Sequence, residues 1–180
     1  MAETETRLSP LLQSALDSID RAIAGMSDEQ LTWHPEGKWS GAEILEHLSL
    51  TYSRTANRMR PLLEQTQLPE GRSRTMKERL GGLIVLKLGR VPPGRKAPEA
   101  VSPKGMRPQD VRSSIRENLR QMDQTINQCE ERFGGRKNVL VHAVLGPLST
   151  AEWRKFHCVH TLHHMRQIAV LREMMKNSSS

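Results

Sequence analysis

Apolar residues recur at helical spacing in four long stretches, separated by Gly, Pro or short polar connections. In the first, Leu12, Ala15, Leu16, Ile19, Ala22 and Ile23 form one stripe that closes near Gly25. Ser9-Pro10 supplies a cap and a first-turn proline. The second runs from Gly41 to about Gln65 behind the cap Ser40, with Glu43 placed to complete a capping box. Ile44, His47, Leu48, Thr51, Thr55, Met59 and Leu62 mark its inward face and Glu46 falls on the flank. Pro61 should kink this helix or end it early. The third opens at Arg107-Pro108 and runs to Phe133, before Gly134-Gly135. Val111, Ile115, Leu119, Met122, Ile126 and Cys129 or Glu130 form its buried stripe; Arg112, Arg116 and Arg120 beside Glu117 and Asp123 read as outer surface. The fourth spans Ser149 to Lys176, capped by Ser149 or Thr150, with Glu152 in the first turn where the helix dipole favours an anion.

The connections are less regular. Ser27 to Lys38 holds a short helical turn with its own capping box, then His34 before Pro35, read as an exposed loop histidine. Leu80 to Leu88 predicts a short helix despite Gly81-Gly82, and the prolines between Val91 and Met106 predict an extended crossover. Asn138 to Leu148 is apolar but short, a packed connection into the last helix. The pattern is that of an all-α protein, a four-helix bundle with a long irregular crossover between its second and third long helices. The chain is expected to form one domain over residues 1–180, with 1–7 and 177–180 disordered.

Composition sharpens this. Only 3% of residues are aromatic, so the core must be aliphatic and methionine-filled, which suits helices better than strands. The net charge is +7, and ten of the 27 basic residues lie between Arg72 and Arg107. No stacking aromatic interleaves them, so this segment reads as a solvated loop and nucleic acid as a poor partner. No apolar run approaches the roughly 20 residues that cross a bilayer, and no leader pattern opens the chain. The cysteines, Cys129 and Cys158, form no CxxC pair. They read as reduced thiols, and the expected location is cytoplasmic.

The chemistry lies in the last helix, which holds four of the seven histidines. At about 100° per residue, Trp153, His157, His160, His164, Ile168, Leu171 and Met175 share one stripe, with His163 nearer the flank. Imidazoles on an apolar stripe are either hydrogen-bonded in the core or bound to a metal. His160 and His164 are four apart, one turn above each other, a spacing that helical metal sites use. If the second and fourth long helices are neighbours, His47 meets that pair, giving three neutral imidazoles with an open position for a divalent metal. Imidazole suits zinc, nickel, iron and copper alike. His157 is placed beside the ligands, where its ring would orient a ligand or a substrate.

Trp39-Ser40 followed by EILEHL, and later LGPLSTAEWRKFHCVHTLHHMRQI, resemble the DinB-like superfamily of bacterial four-helix proteins, closest to its DUF1569-type branch. Matched residue by residue, the resemblance makes His47, His160 and His164 the metal ligands and His163 a neighbour that does not ligate. His142 matches the histidine of an HP element, with Ala143 standing where that branch commonly has proline. The resemblance implies a divalent metal such as zinc, nickel or iron. It also implies a low-molecular-weight thiol such as bacillithiol or mycothiol, a small-molecule substrate and thiol transfer or hydrolysis. Dimers are common among the resembling proteins. A non-catalytic metal-binding or stress-response bundle is the second reading.

Overall fold

Each long amphipathic stretch forms a helix in the computed structural model, which describes residues 7–92, 94 and 96–178. In chain order the elements are α1 (Pro10–Ile23), α2 (Asp28–Thr32), α3 (Gly41–Met59), α4 (Met76–Gly82) and α5 (Pro108–Phe133), then β1 (Asn138–His142), β2 (Gly146–Ser149) and α6 (Thr150–Ser178). The long helices α1, α3, α5 and α6 build an all-α bundle. In it α3 packs most extensively on α5 and α1 on α6, while α3 also meets α6. Leu12, Ile19, Leu45, Leu48, Tyr52, Met59, Ile115, Leu119, Met122 and Ile126 fill the centre and are fully buried. Each apolar side chain of this size contributes about 1.5–3 kcal/mol on leaving water.

Local chemistry sets the helix ends. Reciprocal capping boxes start α2 at Ser27 and Gln30, and α3 at Ser40 and Glu43. At α6, Glu152 N–H donates to Ser149 Oγ (3.3 Å) and Ser149 N–H to Glu152 Oε2 (3.0 Å). Pro61 cannot donate to the helical ladder, so α3 stops at Met59 and continues as a 3₁₀ turn over Arg60–Glu64. The helix expected over Leu80 to Leu88 begins earlier. Thr75 and Glu78 form another capping box for α4, and a π-helical turn over Leu83–Lys87 follows. Of the termini expected to be disordered, residues 1–6 and 179–180 lie outside the described residues; Asn177 and Ser178 continue α6.

Some expectations need correction. Asp123 is not on the outer surface; it is 1% exposed. Its carboxylate accepts from Arg154 Nε of α6 (3.1 Å), and from the N–H (2.6 Å) and Oγ (3.1 Å) of Ser9. Ser9 therefore ties α1 to α5, and no side-chain cap bond forms at α1. Arg154 also donates to Glu130 and Asn127. A charge on a helix reads as solvent-facing from its own sequence; here a guanidinium from the facing helix satisfies it. The connection from Asn138 to Leu148 is an antiparallel hairpin, pairing Leu140 with Leu148 and His142 with Gly146. Short apolar runs are ambiguous by periodicity alone. Here Gly146, at φ +74°, turns the chain, and Leu145 and Leu148 are buried.

Candidate metal centre

The capping box at Ser40 starts α3, and His47 projects inward two turns later, 5% exposed. From α6, His160 and His164 project one turn apart toward the same point. His160 Nε2 lies 3.4 Å from His47 Nε2 and 3.1 Å from His164 Nε2, and the three donor atoms lie within 4.8 Å of one another. Two nitrogens on one ion at tetrahedral angles, with bonds of 2.0–2.1 Å, stand about 3.3 Å apart.

The far side of each ring shows which nitrogen is free. A carbonyl only accepts, so His47 Nδ1 carries a proton and donates it to Val101 O (2.8 Å). His164 Nδ1 donates to Gln167 Oε1 (2.7 Å), and the same amide donates through Nε2 to His163 Nε2 (3.3 Å). Both rings thus keep a lone pair on Nε2, aimed at His160 Nε2. The His160 Nδ1 is sealed from solvent without a hydrogen-bond partner among the described residues. Converging lone pairs beside an orphaned ring nitrogen form a poor protein-only network and a good cation site.

Burial sets the charge state. Desolvation lowers the His47 pKa against the opposing bond to Val101. It lowers His164 to about 4, helped by the neighbouring His47. Desolvation again leads at His160, which is lowered well below the usual histidine range, with His164 and His47 adding to it. All three rings are held neutral at pH 7, the form that ligates. No fourth His, Cys, Asp or Glu joins the group among the described residues. Three neutral ligands leave the charge of a divalent ion uncancelled.

The other histidines stand around this point. His157 is fully buried and donates from Nε2 to Thr55 Oγ1 (3.1 Å), because that hydroxyl already donates to Thr51 O (2.9 Å). Its Nδ1 is buried without a partner among the described residues, and burial, with His142 second, pushes its pKa down to about 3. His163 reaches His164 through Gln167. His142 ends β1, where its Nδ1 accepts from the turn N–H groups of Val144 (3.1 Å) and Leu145 (3.2 Å). Its ring packs against Phe156 at 4.4 Å, and Phe156 in turn stacks on His160 at 5.3 Å. Trp39 sits 5.1 Å from the His47 ring. His34 is exposed. In the basic segment, Arg72 pairs with Glu78, and Arg74 with Glu152 and Pro147 O.

Sequence reasoning missed three contributors. Gln167 had a signal, the i, i+3 spacing from His164. The Val101 carbonyl had none, since any residue offers one. Glu46, expected on the flank, is 3% exposed, and its carboxylate accepts from the backbone N–H groups of Lys104 (2.8 Å), Gly105 (3.0 Å) and Met106 (2.9 Å).

A helical bundle whose facing helices converge three imidazoles on one point belongs to the class of proteins with a candidate metal site in the bundle core. The family model of the DinB superfamily matches residues 11–168, and the chain belongs to that superfamily. No curated protein and no solved structure matches the chain. None of the helices in the described residues is long and apolar enough to cross a membrane.

Proposed function

We propose that this chain is a metal-dependent enzyme acting on a small electrophilic molecule, with a divalent ion held by His47, His160 and His164. The observation that carries the reading is the convergence of three Nε2 atoms, with the lone pairs on His47 and His164 fixed by bonds from the opposite ring nitrogen. Bound there, zinc, nickel or iron would act as a Lewis acid that lowers the proton affinity of a thiol or a water. The chain's own residues do the rest. Val101 and Gln167 hold the tautomers of His47 and His164, while burial keeps the rings uncharged. Trp39 and Phe156 bring apolar surface against His47 and His160, which excludes water from that side of the rings.

A low-molecular-weight thiol such as bacillithiol or mycothiol is the preferred co-substrate and makes the reaction a transfer. Water would make it a hydrolysis. The WS-start of α3 and the HxxHHxxQ pattern from His160 to Gln167 support placement in the DUF1569-type branch. Two buried, unpaired cysteines support a reducing, cytoplasmic setting. The test is elemental analysis of purified protein, followed by turnover of an electrophile panel with and without added thiol. About one ion per chain, with activity abolished by chelation, is expected. A chain that binds no divalent ion sinks the reading, and one that binds an ion but turns over nothing is a metal-binding bundle instead.

A further inference from the structure

The carboxylate of Glu46 stands one residue before a proposed ligand, yet it turns away from the centre. It is buried, and its bonds come from three consecutive backbone N–H groups, Lys104, Gly105 and Met106, at 2.8–3.0 Å. Successive N–H groups can converge on one anion only if the backbone curls around it. Gly105 supplies that curl at φ +85°, with open space where a Cβ would stand. A buried carboxylate is costly unless its oxygens are satisfied, and this cradle satisfies both.

The cradle holds a particular stretch of chain. Only Ser102 and Pro103 separate it from Val101, whose carbonyl accepts the His47 Nδ1 proton at 2.8 Å. Among its described residues the stretch from Val91 to Met106 has one 3₁₀ turn, Glu99–Val101, in which Val101 N–H donates to Pro98 O (3.0 Å) and Ser102 N–H to Glu99 O (3.1 Å), while the Val101 carbonyl accepts from His47. The turn packs on α3, the helix that carries both Glu46 and His47. Consecutive residues of α3 therefore grip the same loop, one by its N–H groups and the other by a carbonyl.

We infer that Glu46 is a positioning residue, a clamp that seats the crossover so that the Val101 carbonyl holds His47 in the Nδ1–H tautomer with Nε2 free. The role rests on reading the three histidines as a metal site, but its first readout does not need the ion. In ¹⁵N-labelled, metal-free protein near neutral pH, ring-nitrogen NMR should show His47 as the Nδ1–H tautomer alone. Glu46→Gln is nearly isosteric but puts an amide NH₂, a donor, where a carboxylate oxygen accepted, so at least one cradle N–H loses its partner. Tautomer mixing at His47 is expected, with Zn²⁺ bound about tenfold more weakly. Gly105→Ala, which strains the curl from the other side, should act in the same direction and answers the question should Glu46→Gln fail to fold. Ser49→Ala is the control: it lies one turn along α3 and loses bonds to Ser114 and Asn118, yet should leave tautomer and affinity at wild-type values.

An unchanged His47 tautomer and Zn²⁺ affinity in both Glu46→Gln and Gly105→Ala would overturn the clamp, as would an equal effect of Ser49→Ala. If wild-type protein binds no Zn²⁺ while its His47 tautomer is fixed and is released by Glu46→Gln, the metal reading fails and the clamp stands.

Discussion

Replacing His160 by alanine separates the proposed site from the scaffold that carries it. An ion that binds the folded chain at one hundred times its dissociation constant stabilises by about 2.7 kcal/mol. A chain of this length gains roughly 2–4 °C in Tm per kcal/mol, so metal-free protein should melt about 5–11 °C higher when the ion is added. His160 Nε2 lies within reach of both other donor atoms, 3.4 Å from His47 Nε2 and 3.1 Å from His164 Nε2. If its loss weakens binding about a hundredfold, the same ion concentration contributes only about 0.4 kcal/mol, a shift of roughly 1 °C. The metal-free variant should remain folded. Removing the ring loses its stacking on Phe156 at 5.3 Å but also removes a buried nitrogen without a partner. Those effects oppose each other, each on the order of 1–3 kcal/mol. Differential scanning fluorimetry with EDTA, then with Zn²⁺, Ni²⁺ or Fe²⁺, reads both numbers. A wild-type Tm that ignores every ion, or a His160→Ala variant that keeps the full shift, would refute the site.

Three further outcomes follow from the structure. Gln167→Leu removes the acceptor of the His164 Nδ1 proton from an exposed position, so Zn²⁺ affinity should fall about 10–100-fold with Tm little changed; competition with a chelating dye measures it. Arg154→Met strands the buried Asp123 carboxylate and should cost about 3–5 kcal/mol, read as a lower urea midpoint; a loss under 1 kcal/mol would show that Ser9 alone satisfies it. Burial pushes His157 to about 3 and His142 to about 4, below the ordinary histidine value of 6.5, so the unfolded chain takes up these protons first. Stability of the metal-free protein should therefore fall as pH drops from 6.5 toward 3, and His157→Gln should flatten that slope; an identical slope in the variant would remove His157 as a cause.

The sequence carried the bundle because α1, α3, α5 and α6 each repeat apolar residues every three or four positions over three turns or more. The histidine triad was legible for the same reason: spacing fixes His160 over His164, and His47 sits on the inward stripe of a helix that can face them. What stayed hidden depends on contacts between distant residues. Asp123 looks solvated until Arg154 is placed opposite it, and Glu46 looks like a flank residue until the crossover folds over it. The hairpin was hidden because Asn138 to Leu148 is too short for a period to declare itself. The start of α4 was legible in the capping spacing of Thr75 and Glu78, the latter five residues before the apolar run at Leu83.

The buried tie between Arg154 and Asp123 has an effect at a distance. A helix is stiff along its axis and rises about 1.5 Å per residue, so anchoring Arg154 fixes the height of His160 roughly 9 Å further along and of His164 roughly 15 Å. Sliding α6 by one turn would pull the guanidinium off its carboxylate and carry both imidazoles past His47. The pair thus works as an axial stop, and exchanging both members for apolar residues should leave a stable bundle whose histidines no longer meet at a single height.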